Sequence, residues 1–241
     1  SIPYARTNMM MAGDGGTNIQ RTEDSLTELE SGMFHYILAN IPYGEYAGYA
    51  DISYFDYTNR RRFELMFLEK IIKALVEGGS AAVIVPDGVV ESTSYKEFRR
   101  HLLFAVEIKA VVSLPSAIFE PYTAEKTYIL YFRRKKEKEQ GKIQDSSIWH
   151  YIVDYDGFQK GKKRYAINRD DFPEAADGFL TLEKAGKAGF MHSTDLTEEN
   201  YFTIASEAQL RKPKPLEFEE DTFRKIIENF EKKILGSSRD A

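Results

Sequence analysis

Asn40-Ile41-Pro42-Tyr43 is the segment of this sequence best equipped for chemistry. An amino group conjugated to an aromatic ring, such as N6 of adenine, is a poor nucleophile because its lone pair is delocalised. Groups that accept hydrogen bonds from it favour rehybridisation, and preorganised groups of this kind lower barriers substantially. An asparagine side chain and a backbone carbonyl are suitable acceptors. Pro42 stiffens the loop and biases Ile41, which precedes it, to extended conformations. Tyr43 offers a stacking face for a base extruded from a duplex. The candidate catalytic group is therefore Asn40, Ile41 through its carbonyl, Pro42 and Tyr43.

The elements around this loop are legible. His35 to Ala39 reads as a strand that stops at Asn40. Phe63, Phe67, Ile71, Ala74 and Leu75 recur at helical spacing, and Glu77-Gly78-Gly79 supplies a stop. Ala81 to Val85 reads as a buried strand closed by Pro86-Asp87-Gly88. A helix through Lys96 to Phe104 follows, then a strand over Ile108 to Leu114. Another strand, 127 to 132, comes after a long excursion from Pro115 to Lys126. Strands alternating with helices predict a mainly parallel sheet. Upstream, residues 1 to 12 read as a helix and Asn18 to Arg21 as a short strand. The glycines at 13, 15 and 16 lack the preceding strand that a phosphate loop needs. Downstream, the polar stretch 134 to 147 reads as an exposed connection or boundary, Trp149 to Tyr155 as a further strand, 157 to 189 as loop-rich, and Glu219 to Leu235 as a helix with acids first and lysines last. The predicted organisation is a catalytic unit over 1–135, a strand- and loop-rich extension of the same domain over 136–215, and a C-terminal helix over 216–241. Asp87 and Glu64 read as a turn former and a helix-face residue.

Bulk properties narrow the function classes. Absence of cysteine rules out disulfides and thiolate metal sites, and four scattered histidines predict no metal. No apolar run reaches the roughly 20 residues that span a bilayer, so a soluble cytoplasmic protein is expected, with no membrane partner. A net charge of −5 argues against a general nucleic-acid binder. The basic runs Arg60 to Arg62, Arg133 to Lys138 and Lys160 to Arg164 read as solvated element ends or loop tips.

Asn40 to Tyr43 resembles the Asn/Asp-Pro-Pro-Tyr/Phe motif of adenine amino-methyltransferases, with Ile41 where the first proline stands. The resemblance extends over roughly residues 5 to 175 to the methylation subunit of type I restriction-modification systems. It is carried by Asp24-Ser25-Leu26, Phe63 to Phe67, Gly78-Gly79 with Ala81 to Gly88, Phe119 to Thr123, Lys126-Thr127 with Ile129 to Phe132, Asp156-Gly157-Phe158 with Lys163-Arg164, and Asp170 to Pro173. It implies a Rossmann-like α/β fold, S-adenosylmethionine as cofactor, DNA as substrate, and specificity and restriction subunits as partners. Asp24 then matches the acidic residue near the cofactor's adenine, although a helix cap explains it equally well. Phe119 and Tyr122 become candidates for a second face on the flipped base, or ordinary packing residues. The family holds the cofactor's methionine half on a strand ending in a Gly-rich turn, and no such pattern occurs here. The N-terminal strands of the fold are therefore expected to be missing, and the chain is expected to be a fragment inactive alone. Two other readings stay open: an assembly or DNA-binding module with a degenerate site, and a methyltransferase acting on RNA or a protein glutamine.

Overall fold

A computed structural model describes residues 2–14, 18–46, 55–58, 61–116, 118–161, 163–181 and 188–205. The chain divides into two compact units, 1–210 and 211–241, and the described residues all lie in the first. The predicted C-terminal helix and Gly15-Gly16 of the glycine-rich loop fall outside the described residues. In chain order the elements are α1 (Ile2–Met11), α2 (Ser25–Glu28), β1 (Phe34–Asn40), α3 (Phe63–Ala74), β2 (Leu75–Pro86), α4 (Asp87–Glu91), α5 (Lys96–Ala105), β3 (Val106–Ser113), β4 (Thr127–Arg134), β5 (Ile148–Ile152), β6 (Asp156–Phe158), β7 (Ala166–Asp170), α6 (Phe172–Thr181) and β8 (Ala188–Met191).

The main sheet has the order β1-β2-β4-β3-β5-β8. Strands β1, β2, β3 and β5 run one way, while β4 and β8 run against them. This is the α/β, mainly parallel arrangement expected, with β4 wedged between its parallel neighbours. The described residues of the excursion after β3 form turns and no crossover helix, and the chain returns antiparallel, the arrangement that needs no crossover. Helices α3 and α5 cover one face, where Leu65, Leu68, Leu102 and Leu103 meet Val83, Leu130 and Phe132. Each such side chain contributes about 1.5–3 kcal/mol on full burial. Helix α6 covers part of the other face through Phe172, Ala175 and Phe179 against Trp149 and Tyr131. Tyr36 and Leu38 on β1 remain exposed.

Three local expectations are corrected. Residues 18 to 21 form no strand, and the stretch 157 to 189 contains β7, α6 and the start of β8. Helix α3 stops at Ala74, before the glycines, because residues 76 to 79 bulge out between the pairs Phe34–Leu75 and Tyr36–Ser80. Gly78 takes φ +78° in that bulge. A Cβ on Gly79 would meet the carbonyl oxygens of His35, Val76 and Phe34 at 3.0, 3.0 and 3.1 Å. Gly79→Ala is therefore expected to push β1 off β2 and to cost about 1–3 kcal/mol, the usual range for overpacking, seen as a lower urea midpoint.

The polar stretch 134 to 147 is more tied down than its composition suggests. Lys135 is buried and its Nζ donates to the carbonyls of Leu103 and Lys142. The Gln144 amide accepts from the Ile108 N–H at 2.6 Å and donates to the Ile108 carbonyl at 2.9 Å. It thereby acts as a one-residue strand at a point where β5 has not yet begun to pair. Burial raises the Glu107 carboxyl, but hydrogen bonds from Lys109, Arg133 and Ser146 outweigh it and hold the group down at about 2. Much of the basic run around Arg133 is thus consumed in the fold.

Candidate active site

Asn40 ends β1 opposite Ile84 of β2, at the carboxyl edge of the parallel strands. Thr127 of β4 lies opposite Pro86, and Ser113 of β3 opposite Tyr128, so the ends of β2 and β3 and the excursion between β3 and β4 reach the same edge. Ligands of open α/β sheets bind at such an edge.

The loop after Asn40 is anchored residue by residue. Ile41 turns inward and is 5% exposed within the main core. Its burial anchors the loop to the core. Pro42 is exposed and Tyr43 packs half-buried on the core. The Tyr43 hydroxyl donates to Asn40 Oδ1 at 3.3 Å. This is a long bond for two oxygens, and it is made at an exposed residue. Burial pushes the Tyr43 phenol up, and the charge of Glu125 pushes it further.

Gly44 then turns the chain at φ +105°, a conformation that favours glycine. Its N–H donates to Glu64 Oε2 at 2.9 Å, and its carbonyl accepts from the Phe63 N–H at 2.9 Å. Glu64 is 1% exposed and also accepts from Arg62 Nε at 2.9 Å and from the Tyr95 hydroxyl at 3.1 Å. Reading Glu64 as a helix-face residue located it correctly and missed what it holds. Only its place between Phe63 and the apolar run Leu65 to Leu68 hinted at burial.

Asp24 caps α2: Oδ1 accepts from the Leu26 N–H at 2.9 Å. Its Oδ2 accepts from the Tyr46 hydroxyl at 3.2 Å, which joins Asp24 to the segment that follows the loop. Beneath them Leu26 and Met66 form a small buried cluster with Tyr46, Phe63 and Phe67. A cleft of about 570 Å³, lined by Glu45, Tyr46, Arg61, Arg62 and Tyr95, opens beside the loop.

The structure thus brings Asn40, Ile41, Pro42, Tyr43 and, through Tyr46, Asp24 into one region. Phe119 is half-buried, and Tyr122 is 93% exposed on a turn in which its N–H donates to the Phe119 carbonyl. That turn is pinned from behind by Arg164, which donates to the Ile118 carbonyl and pairs with Asp156. Among the described residues no group of three or more His, Asp or Glu side chains could hold a metal ion, and no helix is long and apolar enough to cross a membrane.

A family model for N-6 DNA methylase matches residues 2–231. The type I restriction enzyme EcoEI methylase subunit of Escherichia coli is 28% identical over 145 residues, covering 56% of this chain and 28% of that protein. The EcoKI methylase subunit of Escherichia coli strain K12 is 31% identical over 120 residues, covering 48% of this chain and 22% of its own length. The chain therefore spans about a quarter of the length of these curated relatives. A solved structure of a type I R-M system contains a chain that superposes with TM-score 0.66 at 22% identity, covering 97% of this chain and 50% of that one.

Proposed function

Because this chain belongs to the N-6 DNA methylase family, we propose that it carries the acceptor-binding part of a type I restriction-modification methyltransferase acting on adenine N6 in DNA. The observation that carries this reading is the Asn40 to Tyr43 loop at the carboxyl edge, with the Asn40 oxygen exposed and already holding a hydroxyl donor. S-adenosylmethionine, when bound, supplies an electrophilic methyl group. Asn40 Oδ1 accepts one N6 hydrogen of a flipped adenine and the Ile41 carbonyl accepts the other. With that cofactor bound, the methyl–sulfur bond would break as the N6–carbon bond forms, the thioether product would leave, and one N6 proton would pass to solvent; Asn40 and the Ile41 carbonyl would stabilise the positive charge that develops on N6 meanwhile. Tyr43 stacks on the base, with Phe119 and Tyr122 closing from the excursion. The Asp24 carboxylate keeps lone pairs beyond those used by Leu26 and Tyr46, so its chemistry fits the exocyclic amino group of the cofactor's adenine. Sequence reading falls to a specificity subunit and cleavage to a restriction subunit.

The test is product analysis. The full-length protein containing these residues, reconstituted with its specificity subunit, is expected to deposit N6-methyladenine in duplex DNA. Methyl incorporation into RNA or protein instead, or none with cofactor bound, would overturn the reading. Calorimetry of S-adenosylmethionine binding by this chain and by the full-length protein separates cofactor capture from transfer.

A further inference from the structure

We propose that Glu64 is the positioning residue of the Asn40–Tyr43 loop, fixing it through the Gly44 N–H while Arg62 and Tyr95 hold the carboxylate in place. The consequence for catalysis rests on the function proposed above; the consequence for loop order does not. Gly44 is tied at both backbone groups to consecutive residues of α3: its carbonyl to the Phe63 N–H and its N–H to Glu64 Oε2. Asn40 is the last residue of β1, and a four-residue span therefore separates the end of the sheet from a fixed point on a buried helix. With both ends held and Ile41 buried between them, the loop has little freedom to move the Asn40 oxygen or the Ile41 carbonyl. Misplacement of such groups by about 1 Å is enough to cost on the order of 100-fold in rate.

An ionised carboxylate at this depth is costly unless its charge is matched and its oxygens are bonded. Arg62 supplies the charge, and Tyr95, lying between α4 and α5, supplies a second donor to the same oxygen. Burial and the nearby Glu64 charge both push the Tyr95 phenol up, so the hydroxyl keeps its proton and stays a donor. Glu64 touches no bulk solvent and sits behind the loop, which suits positioning and not proton transfer to substrate.

Helix α3 carries its own control. Glu69, also fully buried, accepts from the backbone N–H groups of Asp56, Tyr57 and Thr58 and pairs with Lys73 at 3.0 Å. It is a carboxylate of the same depth on the same helix, holding a different segment.

The experiment compares Glu64→Ala, Glu64→Gln, Tyr95→Phe and Glu69→Gln in the full-length protein with its specificity subunit. Hydrogen exchange of the peptide spanning residues 41 to 46 is read alongside kcat, KM and melting temperature. Glu64→Ala is expected to speed that exchange by roughly 10–100-fold, the usual loss for a bond to a charged group. It should lower kcat by a factor on the order of 10–100 with KM for DNA changed less than about threefold. Glu64→Gln keeps an acceptor for Gly44 and should recover most of both; Tyr95→Phe should fall between, at about 2–10-fold. Glu69→Gln should lower the melting temperature while leaving exchange at 41 to 46 within about twofold of the parent. Unchanged exchange in Glu64→Ala, or equal acceleration by Glu69→Gln, would overturn the proposal. If Glu64→Ala does not fold, Glu64→Gln and Tyr95→Phe decide it: no acceleration in either overturns it. A parent protein that transfers no methyl group sinks the proposed function and leaves the exchange measurements to decide the loop.

Discussion

On the function proposed above, Asn40→Ala in the protein reconstituted with its specificity subunit is expected to lower the methylation rate by about 10²–10³-fold, the cost of removing one preorganised group aimed at developing charge. The side chain is exposed at the end of β1, and its recorded partner is the Tyr43 hydroxyl at 3.3 Å. Little packing is lost with it, so stability should change by less than about 0.5 kcal/mol. DNA affinity and assembly with the specificity subunit should be unchanged, because most contacts that position DNA go to its backbone. Asn40→Asp retains an acceptor and should retain more activity than the alanine. Single-turnover methylation, with gel-shift binding in parallel, measures both arms. An alanine variant with the parent's rate would show that the loop is not catalytic and would favour the assembly-module reading, in which the site is degenerate.

The second large effect concerns the fold. Arg99→Leu is expected to cost about 3–5 kcal/mol, the range for breaking up a buried charged network. Arg99 lies on α5 and is fully buried. Its Nη2 donates to the Tyr201 carbonyl at 2.8 Å, its Nε to the Tyr201 and Phe202 carbonyls at 3.2 Å, and its Nη1 to the Val89 carbonyl at 3.3 Å. Tyr201 and Phe202 are the two non-glycine residues with positive φ among those described, at 53° and 50°. The guanidinium thus clamps a strained turn onto α4, next to the Ile204 N–H that donates to the Val90 carbonyl and the Ile204 carbonyl that contacts His150 Nε2. Burial lowers the Arg99 pKa to about 10 against the opposing charge of Glu91, which leaves it protonated at neutral pH. Leucine fills part of the volume and strands the carbonyls. Arg99→Lys can satisfy fewer of them and should recover less than half the loss. Urea unfolding followed by circular dichroism checks this; a loss under about 1 kcal/mol would mean that the turn at 201–202 holds without its clamp.

The two variants probe different levels of what can be read from a sequence. Asn40, Pro42 and Tyr43 stood out as candidates because the chemistry proposed for them depends on adjacent residues following an apolar strand, and adjacency is what a sequence displays. The strands at β1, β2, β3 and β4 and the helices α3 and α5 were identifiable for a related reason: hydrophobic periods of two and 3.6 are set by neighbours a few residues apart. Glu64 was read only as a helix-face residue, and its burial and partners were not legible, because a buried carboxylate and a solvated one look the same in a helix. Asp24 shows the same ambiguity resolved in part: the cap is present, and Tyr46 ties it to the site.

The sequence by itself determined the Asn40–Tyr43 segment as a candidate, the strand that precedes it, the alternation of helix and strand, and, through several spaced matches in one order, the family. The tertiary structure alone decided the wedging of β4 between β2 and β3, the hold of Glu64 on Gly44, the strand-like role of Gln144 and the clamp of Arg99 on the turn at 201–202. The physical reason is sequence distance. Periodicity, turns and caps are local energies, whereas a buried donor or acceptor is satisfied by whichever group the fold delivers, 20 residues away for Gly44 and Glu64 and 102 for Arg99 and Tyr201.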